Sequence, residues 1–309
     1  MTEKPTVAVL GLGAMGHAFA SNLLKHGFPT RVWNRNRARA ESLSGAQICD
    51  TPRQAAEGAG VVITMLPDGK ITESVLAGAH GTLASLPKGA VIAQMGTIGV
   101  ESTMHLARMT HSIRPDIVFV DAPVSGTKAP AEQAKIRIFA SGDHAAASAV
   151  EPVFSAIASH TQWLGEVGAG SRMKLVVNAW LIIMMQGLAE VARLAQTLGF
   201  TTDDFWSAVE GGPLGSPYAK VKLDMIKSGR FDAQMALAWG LKDAGLALDV
   251  AKEIQMPALE RIHEVWSEAV EAGLGELDIA AVYGRLGKNA MTGPGYRAPE
   301  HHSDAVGLS

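Results

Sequence analysis

Five apolar runs alternate with helix-length stretches across the first half of the chain, and this constrains the fold more than any other feature. The runs are "TVAVLG" (6–11), "TRVWN" (30–34), "VVITML" (61–66), "AVIAQM" (90–95) and "IVFVDAP" (117–123). They read as buried strands, and the segments between them carry helix periodicity. Alternation of this kind predicts a parallel sheet covered by helices on both faces. A further pair, "IRIFASG" (136–142) and "TQWLGE" (161–166), extends the sheet around a helix near 144–158. After the cluster Gly165, Gly168, Gly170 the pattern changes and only helices follow. The first runs from Ser171 to about Thr197, roughly 40 Å at 1.5 Å per residue. Shorter ones lie near 203–210, 217–228, 233–254 and 257–272, with Ser216-Pro217 and Met256-Pro257 as boundaries.

The loop after the first run sharpens this. In "VAVLGLGAMGHAFASNLLKHG", Gly11-Leu12-Gly13-Ala14-Met15-Gly16 follows a strand directly and opens a helix. That is the dinucleotide fingerprint in its required context. Gly11 makes the tight turn, Gly13 lets the backbone approach a pyrophosphate, and Gly16 permits close helix–strand packing. The helix N-terminus supplies N–H groups for the anion. The expected fold class is α/β: an N-terminal Rossmann-type doubly wound parallel sheet over residues 1–167, followed by an all-α C-terminal domain over 168–291. Residues 292–309 read as a loose tail, and His301-His302 within it as solvated side chains rather than a metal site.

The second strand ends in "VWNRNRAR". An NAD site usually carries Asp or Glu here to bind the ribose 2′-OH. This chain has Asn34, Arg35 and Arg37, and guanidinium groups suit a 2′-phosphate that a carboxylate would repel. The expected cofactor is NADP, with NADPH preferred over NADH; a solvated basic helix start is the plainer reading of the same residues.

Composition excludes several classes. The net charge is −3 with no Lys/Arg-rich run, which argues against nucleic acid or anionic membrane as the main partner. Cys49 is the only cysteine, so neither an internal disulfide nor a cysteine-based metal site is available, and a reducing, cytoplasmic setting is expected. "MTEKPTVAVLGLGAMG" lacks a basic n-region and a cleavage site. The apolar run from Leu175 is expected to end at Gln186 and Glu190, well short of the ~20 residues of a membrane span. A soluble protein is expected.

Ligands of open parallel sheets sit outside the strand C-termini. The segment "DAPVSGTKAPAEQA" (121–134) leaves such an end, and Ser125, Gly126 and Thr127 offer two hydroxyls and close backbone approach to a carboxylate. Thr97, in "QMGTIG", lies on the same edge. In "SRMKLVVNAWLIIMM" (171–185), Lys174 and Asn178 are four residues apart and share one face of an otherwise apolar helix. A lysine drawn into a buried element is costly unless something pairs with it or uses it. A snorkelling lysine with Asn178 as a helix–helix hydrogen-bonding residue is the structural alternative.

The motifs "GLGAMG", "MLPD", "DAPVSG", "GAGSRMKLVVN" and "LKDAGLALD", in that order, make the chain resemble the β-hydroxyacid dehydrogenase family over residues 5 to 290. Within it, "VSGTKAPAEQA" and "MKLVVN" look most like the glyoxylate/succinic semialdehyde reductases, which use NADPH. The resemblance implies Lys174 as the catalytic residue with Asn178 beside it, and Ser125 and Gly126 holding the substrate carboxylate. Met65, Leu66 and Pro67 of "MLPD", together with Thr97 and Lys242, would contact the cofactor. Asp243 and Phe231 would complete the substrate cleft, which Trp239 narrows. Three residues depart from the family pattern: Thr127 for a second glycine, Ala134 for a later glycine, and Gly96 for a serine before Thr97.

Carbonyl reduction leaves negative charge on oxygen, which a lysine ammonium stabilises and protonates. An unperturbed lysine, with pKa ~10.4, is already protonated at neutral pH, which favours the reductive direction. The expected partner is a small carboxylate-bearing carbonyl compound. Oxidative 3-hydroxyisobutyrate-type chemistry, imine reduction and a non-catalytic NADP-binding role remain as alternatives. The Leu175–Leu198 helix is apolar on more than one face, which predicts a homodimer or homotetramer.

Overall fold

The computed structural model describes residues 4–287. Strands β1 (Val7–Leu10), β2 (Thr30–Trp33), β4 (Val61–Thr64), β5 (Val91–Gln94) and β6 (Val118–Asp121) are the five expected runs. Two short strands, β3 (Gln47–Ile48) and β7 (Val124–Ser125), carry too few residues to show a period. With β8 (Ile136–Gly142) and β9 (Ala158–Trp163), the order is β3-β2-β1-β4-β5-β6-β8-β7, and β9 pairs with β8. β1 lies between β2 and β4, parallel to both, so the chain reverses its winding direction there. The glycine loop leaves β1 at this switch point, where open α/β sheets bind ligands.

The sheet is not parallel throughout. β8 runs antiparallel to β6 and β7. The stretch 126–135 between β7 and β8 holds only the five-residue helix α5 (Lys128–Glu132) and is shorter than the dozen or more residues of a parallel crossover. The longer α6 (Ala147–Ile157) then returns the chain so that β9 pairs parallel to β8.

Helices cover both faces. Ala18, Phe19 and Leu23 of α1 (Ala14–Lys25) pack with Val150, Val153 and Phe154 of α6 against Val9, Ile63 and Ala93. On the other face Ala55 of α2 (Pro52–Ala56), Leu76 of α3 (Gly69–Ala77) and Leu106 of α4 (Val100–Ile113) meet Ala8, Val62 and Ile92. Strands buried on both sides explain why the runs are continuously apolar rather than alternating.

The chain divides into two compact units, with the boundary at Asn178/Ala179 inside α7 (Ala169–Thr197). The second unit is helical, with α8 (Thr202–Val209), α9 (Pro217–Ser228), α10 (Leu237–Val250) and α11 (Pro257–Ala269). α10 starts later than the expected 233, because Asp278 accepts the N–H groups of Gln234 and Met235, and Ala236 bridges to Asp278. Past α11 the chain widens into a π turn over Val270–Leu274, broken by Gly273 at φ 89°, then forms a 3-10 turn over Ile279–Arg285. Neither was legible as a periodic pattern. The expected tail 292–309, with His301-His302, lies outside the described residues.

Gln186 and Glu190 do not end the apolar stretch of α7 as expected. An 18-residue window of this helix has mean hydropathy 1.7, enough by length and composition to cross a membrane, and 44% of it is buried. A core helix passes the same test, and Gln186 is absorbed by one: its Oε1 accepts the indole N–H of the fully buried Trp266 at 2.8 Å.

Candidate active site

The glycine loop is shaped by close approach. Gly11 has φ +97°, and a Cβ there would stand 2.3 Å from the Met65 carbonyl oxygen. A Cβ on Gly16 would overlap the Gly11 carbonyl oxygen at 1.9 Å. Gly13 differs: a Cβ there meets nothing within 4 Å, and no side chain caps the first turn of α1. A bare backbone turn with open space above it, at the N-terminus of a 12-residue helix, fits a dinucleotide pyrophosphate. Leu12 is buried and Met15 half-buried, while Ala14 is exposed.

Asn34 ties this loop to the end of β2, its Oδ1 accepting the Leu12 N–H at 2.9 Å. Its neighbours separate in role. Arg35 is exposed, whereas Arg37 is ion-paired with Asp50. Asp50 is itself held in place, its carbonyl accepting the Trp33 indole N–H and its N–H donating to Gln54 Oε1.

A row of buried polar residues crosses the C-terminal edge of the sheet: Thr64, Gln94, Asp121 and Ser141 are paired in register on β4, β5, β6 and β8, all at 0% exposure. Sequence reading missed this row, since each member is a single polar residue within or at the end of an apolar run. Gln94 holds the next loop from both sides, its Nε2 donating to the Gly96 carbonyl at 2.7 Å and its Oε1 accepting the Gly96 N–H at 2.9 Å. A Cβ at Gly96 would meet the Leu66 carbonyl at 2.4 Å, so glycine is what this packing admits in place of the family's serine. Half-buried Thr97 follows directly; Met65 and Pro67 are likewise half-buried and Leu66 is buried.

In the expected acid-binding loop, Gly126 is exposed with φ +141°, and a Cβ would strike Ile136 Cγ2 at 2.7 Å. Ser125 and Thr127 are half-buried beside it. Thr127 has ordinary extended geometry at the start of α5 and costs nothing in place of glycine. Ala134 does carry a cost: its φ of 54° is left-handed, which disfavours any side chain with a Cβ.

Asp121 ends β6 immediately before this loop. Its Oδ2 accepts the N–H groups of Gly168 (3.1 Å) and Ser171 (2.8 Å) and the Ser141 hydroxyl (3.0 Å); its Oδ1 accepts the Ser171 hydroxyl at 2.8 Å. Burial pushes this carboxyl up from its ordinary pKa, and the hydrogen bonds from Ser171, Ser141 and Gly168 oppose the shift. Gly170 N–H donates to the Ser141 hydroxyl at 2.9 Å, which completes the anchoring of the α7 N-terminus. One turn further along α7, Lys174 is buried at 8% exposure and its Nζ donates to Asn178 Oδ1 at 2.8 Å. Asn178 is itself 2% exposed.

The remaining predicted residues belong to the helical unit. Trp239 is half exposed, with Lys242 Nζ 5.9 Å from its ring centroid. Lys242 lies 3.0 Å from Asp243 Oδ1. Asp243 is only 4% exposed, so this is not a solvated surface pair. Phe231 is buried, and its carbonyl accepts the Asp278 N–H at 2.9 Å.

Residues 6–165 match the family described as the NAD binding domain of 6-phosphogluconate dehydrogenase, and residues 168–286 that described as NAD-binding of NADP-dependent 3-hydroxyisobutyrate dehydrogenase. Glyoxylate/succinic semialdehyde reductase 1 of Arabidopsis thaliana is 32% identical over 280 residues, covering 89% of this chain and 96% of that protein. The chain belongs to the β-hydroxyacid dehydrogenase family. Among solved structures, this β-hydroxyacid dehydrogenase is similar to a 3-hydroxyisobutyrate dehydrogenase from Salmonella typhimurium, with TM-score 0.83 and 25% identity over 91% of this chain and 99% of that one. It is also similar to an imine reductase from Pseudomonas sp., with TM-score 0.61 and 26% identity over 91% and 98% of the two chains. As a member of the family it is an NAD(P)-dependent oxidoreductase acting on hydroxyl and carbonyl groups.

Proposed function

We infer that this β-hydroxyacid dehydrogenase is an NADPH-dependent reductase of small carboxylate-bearing aldehydes or keto acids, of the glyoxylate/succinic semialdehyde type. The observation that carries the reading is the buried Lys174, oriented by the neutral amide of Asn178 near the start of a helix anchored to the sheet.

When bound, the nicotinamide cofactor supplies hydride. The bare turn at Gly13 and the first turn of α1 would hold its pyrophosphate, with Thr97 as a further contact. Arg35 favours a 2′-phosphate. Arg37 contributes to the extent that it leaves Asp50, an exposed pair of the kind that contributes little to stability. Ser125 to Thr127 receive the substrate carboxylate. Lys174 stabilises the developing oxyanion and donates the proton that completes the alcohol. The two functional segments are assigned as residues 1–167 for cofactor and 168–291 for substrate and assembly. Val176, Trp180, Val191 and Leu194 are exposed at spacings that keep them on one side of α7, and Leu198 is exposed just past its end, which supports assembly as a homo-oligomer.

The test is a steady-state panel with NADPH and NADH. Glyoxylate and succinic semialdehyde are expected to outperform neutral aldehydes of matched size, and equal rates would remove the acid pocket. Asn34→Asp combined with Arg35→Ala is expected to move preference toward NADH, while the new carboxylate still accepts the Leu12 N–H. Equal affinity of the parent for both cofactors would remove the 2′-phosphate reading.

A further inference from the structure

A proton donor on a helix is only as well placed as the helix itself. A misplacement of about 1 Å at a reacting group costs on the order of 10²-fold in rate. We propose that Asp121 is a positioning residue for the reaction: its carboxylate locks the first turn of α7, and with it Lys174, to the strand end from which the acid-binding loop departs. This rests on the assignment of Lys174 as proton donor.

Three observations carry it. An ordinary helix cap sits one residue before the helix it serves. Asp121 instead lies on another element, 47 residues before Gly168 and 50 before Ser171, so its bonds fix the helix to the sheet and not merely to itself. Ser171, held through both its N–H and its hydroxyl, lies three residues before Lys174 and on the same side of the helix. On the strand side, Ser125 follows Asp121 by four residues along the chain. The fully buried carboxylate that anchors α7 therefore ends the strand that leads into the carboxylate cradle. Among the described residues every one of its donors is neutral and no cation pairs with it, an arrangement that a simple cap does not need.

The network also shows which substitution preserves position. In Asp121→Asn, the amide oxygen takes the place of Oδ2 and keeps the bonds from Gly168, Ser171 and Ser141. The amide nitrogen replaces Oδ1 and donates to the Ser171 hydroxyl. That hydroxyl turns its proton to Thr103 Oγ1, 3.1 Å away, which already donates to the Gly99 carbonyl. The anchor survives with its polarity rearranged and its charge removed.

The experiment compares Asp121→Ala, Asp121→Asn, Ser171→Ala and Lys174→Ala by NADPH titration and steady-state kinetics. Asp121→Ala is expected to lose at least ~10-fold in kcat while its NADPH Kd stays within about 3-fold, and Asp121→Asn to recover kcat to within about 3-fold of the parent. Ser171→Ala, which keeps the carboxylate and loses one of its bonds, is expected to fall between. Rescue by Asn separates positioning from charge, and the unchanged Kd separates it from loss of folding. If Asp121→Ala fails to bind NADPH, Ser171→Ala decides the matter by the same two readings. A folded Asp121→Ala or Ser171→Ala with parental kcat overturns the proposal, as does an Asp121→Asn as slow as Asp121→Ala. An active Lys174→Ala overturns the proton-donor assignment instead, and so marks that failure separately.

Discussion

Each of the two units buries a lysine that donates to a buried side chain. Lys174, at 8% exposure, donates to the neutral amide of Asn178. Lys222, at 2%, lies 2.6 Å from Asp278, a carboxylate at 0% exposure that also accepts the N–H groups of Gln234, Met235 and Ala280. Asp278 thereby joins α9, the entry to α10 and the 3-10 turn at Ile279. Burial alone thus does not mark a lysine as a candidate proton donor. Lys222, ion-paired inside such a hub, is part of the scaffold. The two buried carboxylates differ in their partners. Asp278 has a cation, while Asp121 is surrounded by neutral donors and burial pushes its carboxyl up.

The sharpest way to break this comparison is to remove each lysine and read both stability and turnover. Lys222→Ala leaves Asp278 buried without its cation, and breaking a buried pair from one side costs about 3–5 kcal/mol. Its thermal midpoint is expected to drop steeply, while kcat per folded molecule holds; a small shift in midpoint would mean that the backbone donors alone sustain Asp278. Lys174→Ala is expected to do the reverse, lowering kcat by at least roughly two orders of magnitude with NADPH affinity within a few-fold. Lys174→Arg should fail as well, because a guanidinium stays protonated and reaches differently. A Lys174→Ala enzyme that keeps its turnover and loses only stability would place both lysines in the scaffold.

Asp121 adds a pH dependence. Its folded pKa lies above the unfolded one, so its contribution favours the fold most at low pH and is lost as pH rises through the folded value. Asn at this position cannot ionise. The melting temperature of Asp121→Asn, relative to the parent, is therefore expected to rise between about pH 4 and pH 7. Thermal scans at both ends of that range check it, and a constant difference would show that the carboxyl titrates as it does in the unfolded chain. The smallest effect is at Ala134, whose left-handed backbone glycine relieves. Ala134→Gly is expected to stabilise by up to about 1 kcal/mol, the strain relieved being partly offset by the greater freedom of unfolded glycine. Denaturant titration measures it.

Much of the geometry of the candidate site was legible because it is local in sequence. Gly11 and Gly16 are dictated by contacts with Met65 and with each other, and the spacing of the fingerprint encodes that turn directly. Lys174 and Asn178 are four apart because one helix turn brings them together. Asn34 was read for its effect on cofactor choice; its bond to Leu12 joins residues 22 apart and was not visible beforehand. Arg37 read as a phosphate ligand, and only the fold showed Asp50 beside it. Thr127, Ala134 and Gly96 all departed from the family pattern, yet their consequences differ: none at Thr127, backbone strain at Ala134, and at Gly96 a packing with Leu66 and Gln94 that requires glycine.

The sequence by itself determined the order of elements, the phosphate turn and the identity of the buried lysine, because periodicity and short spacings act over a few residues and survive in any context. Tertiary structure decided the direction of β8, the late start of α10 and the polar row Thr64, Gln94, Asp121, Ser141. Each of those depends on pairing across strands or on hydrogen bonds between residues tens of positions apart, such as Asp121 with Ser171 or Lys222 with Asp278. A buried polar group is stable only where its partners arrive, and the chain folds them together without writing their distance into any local pattern.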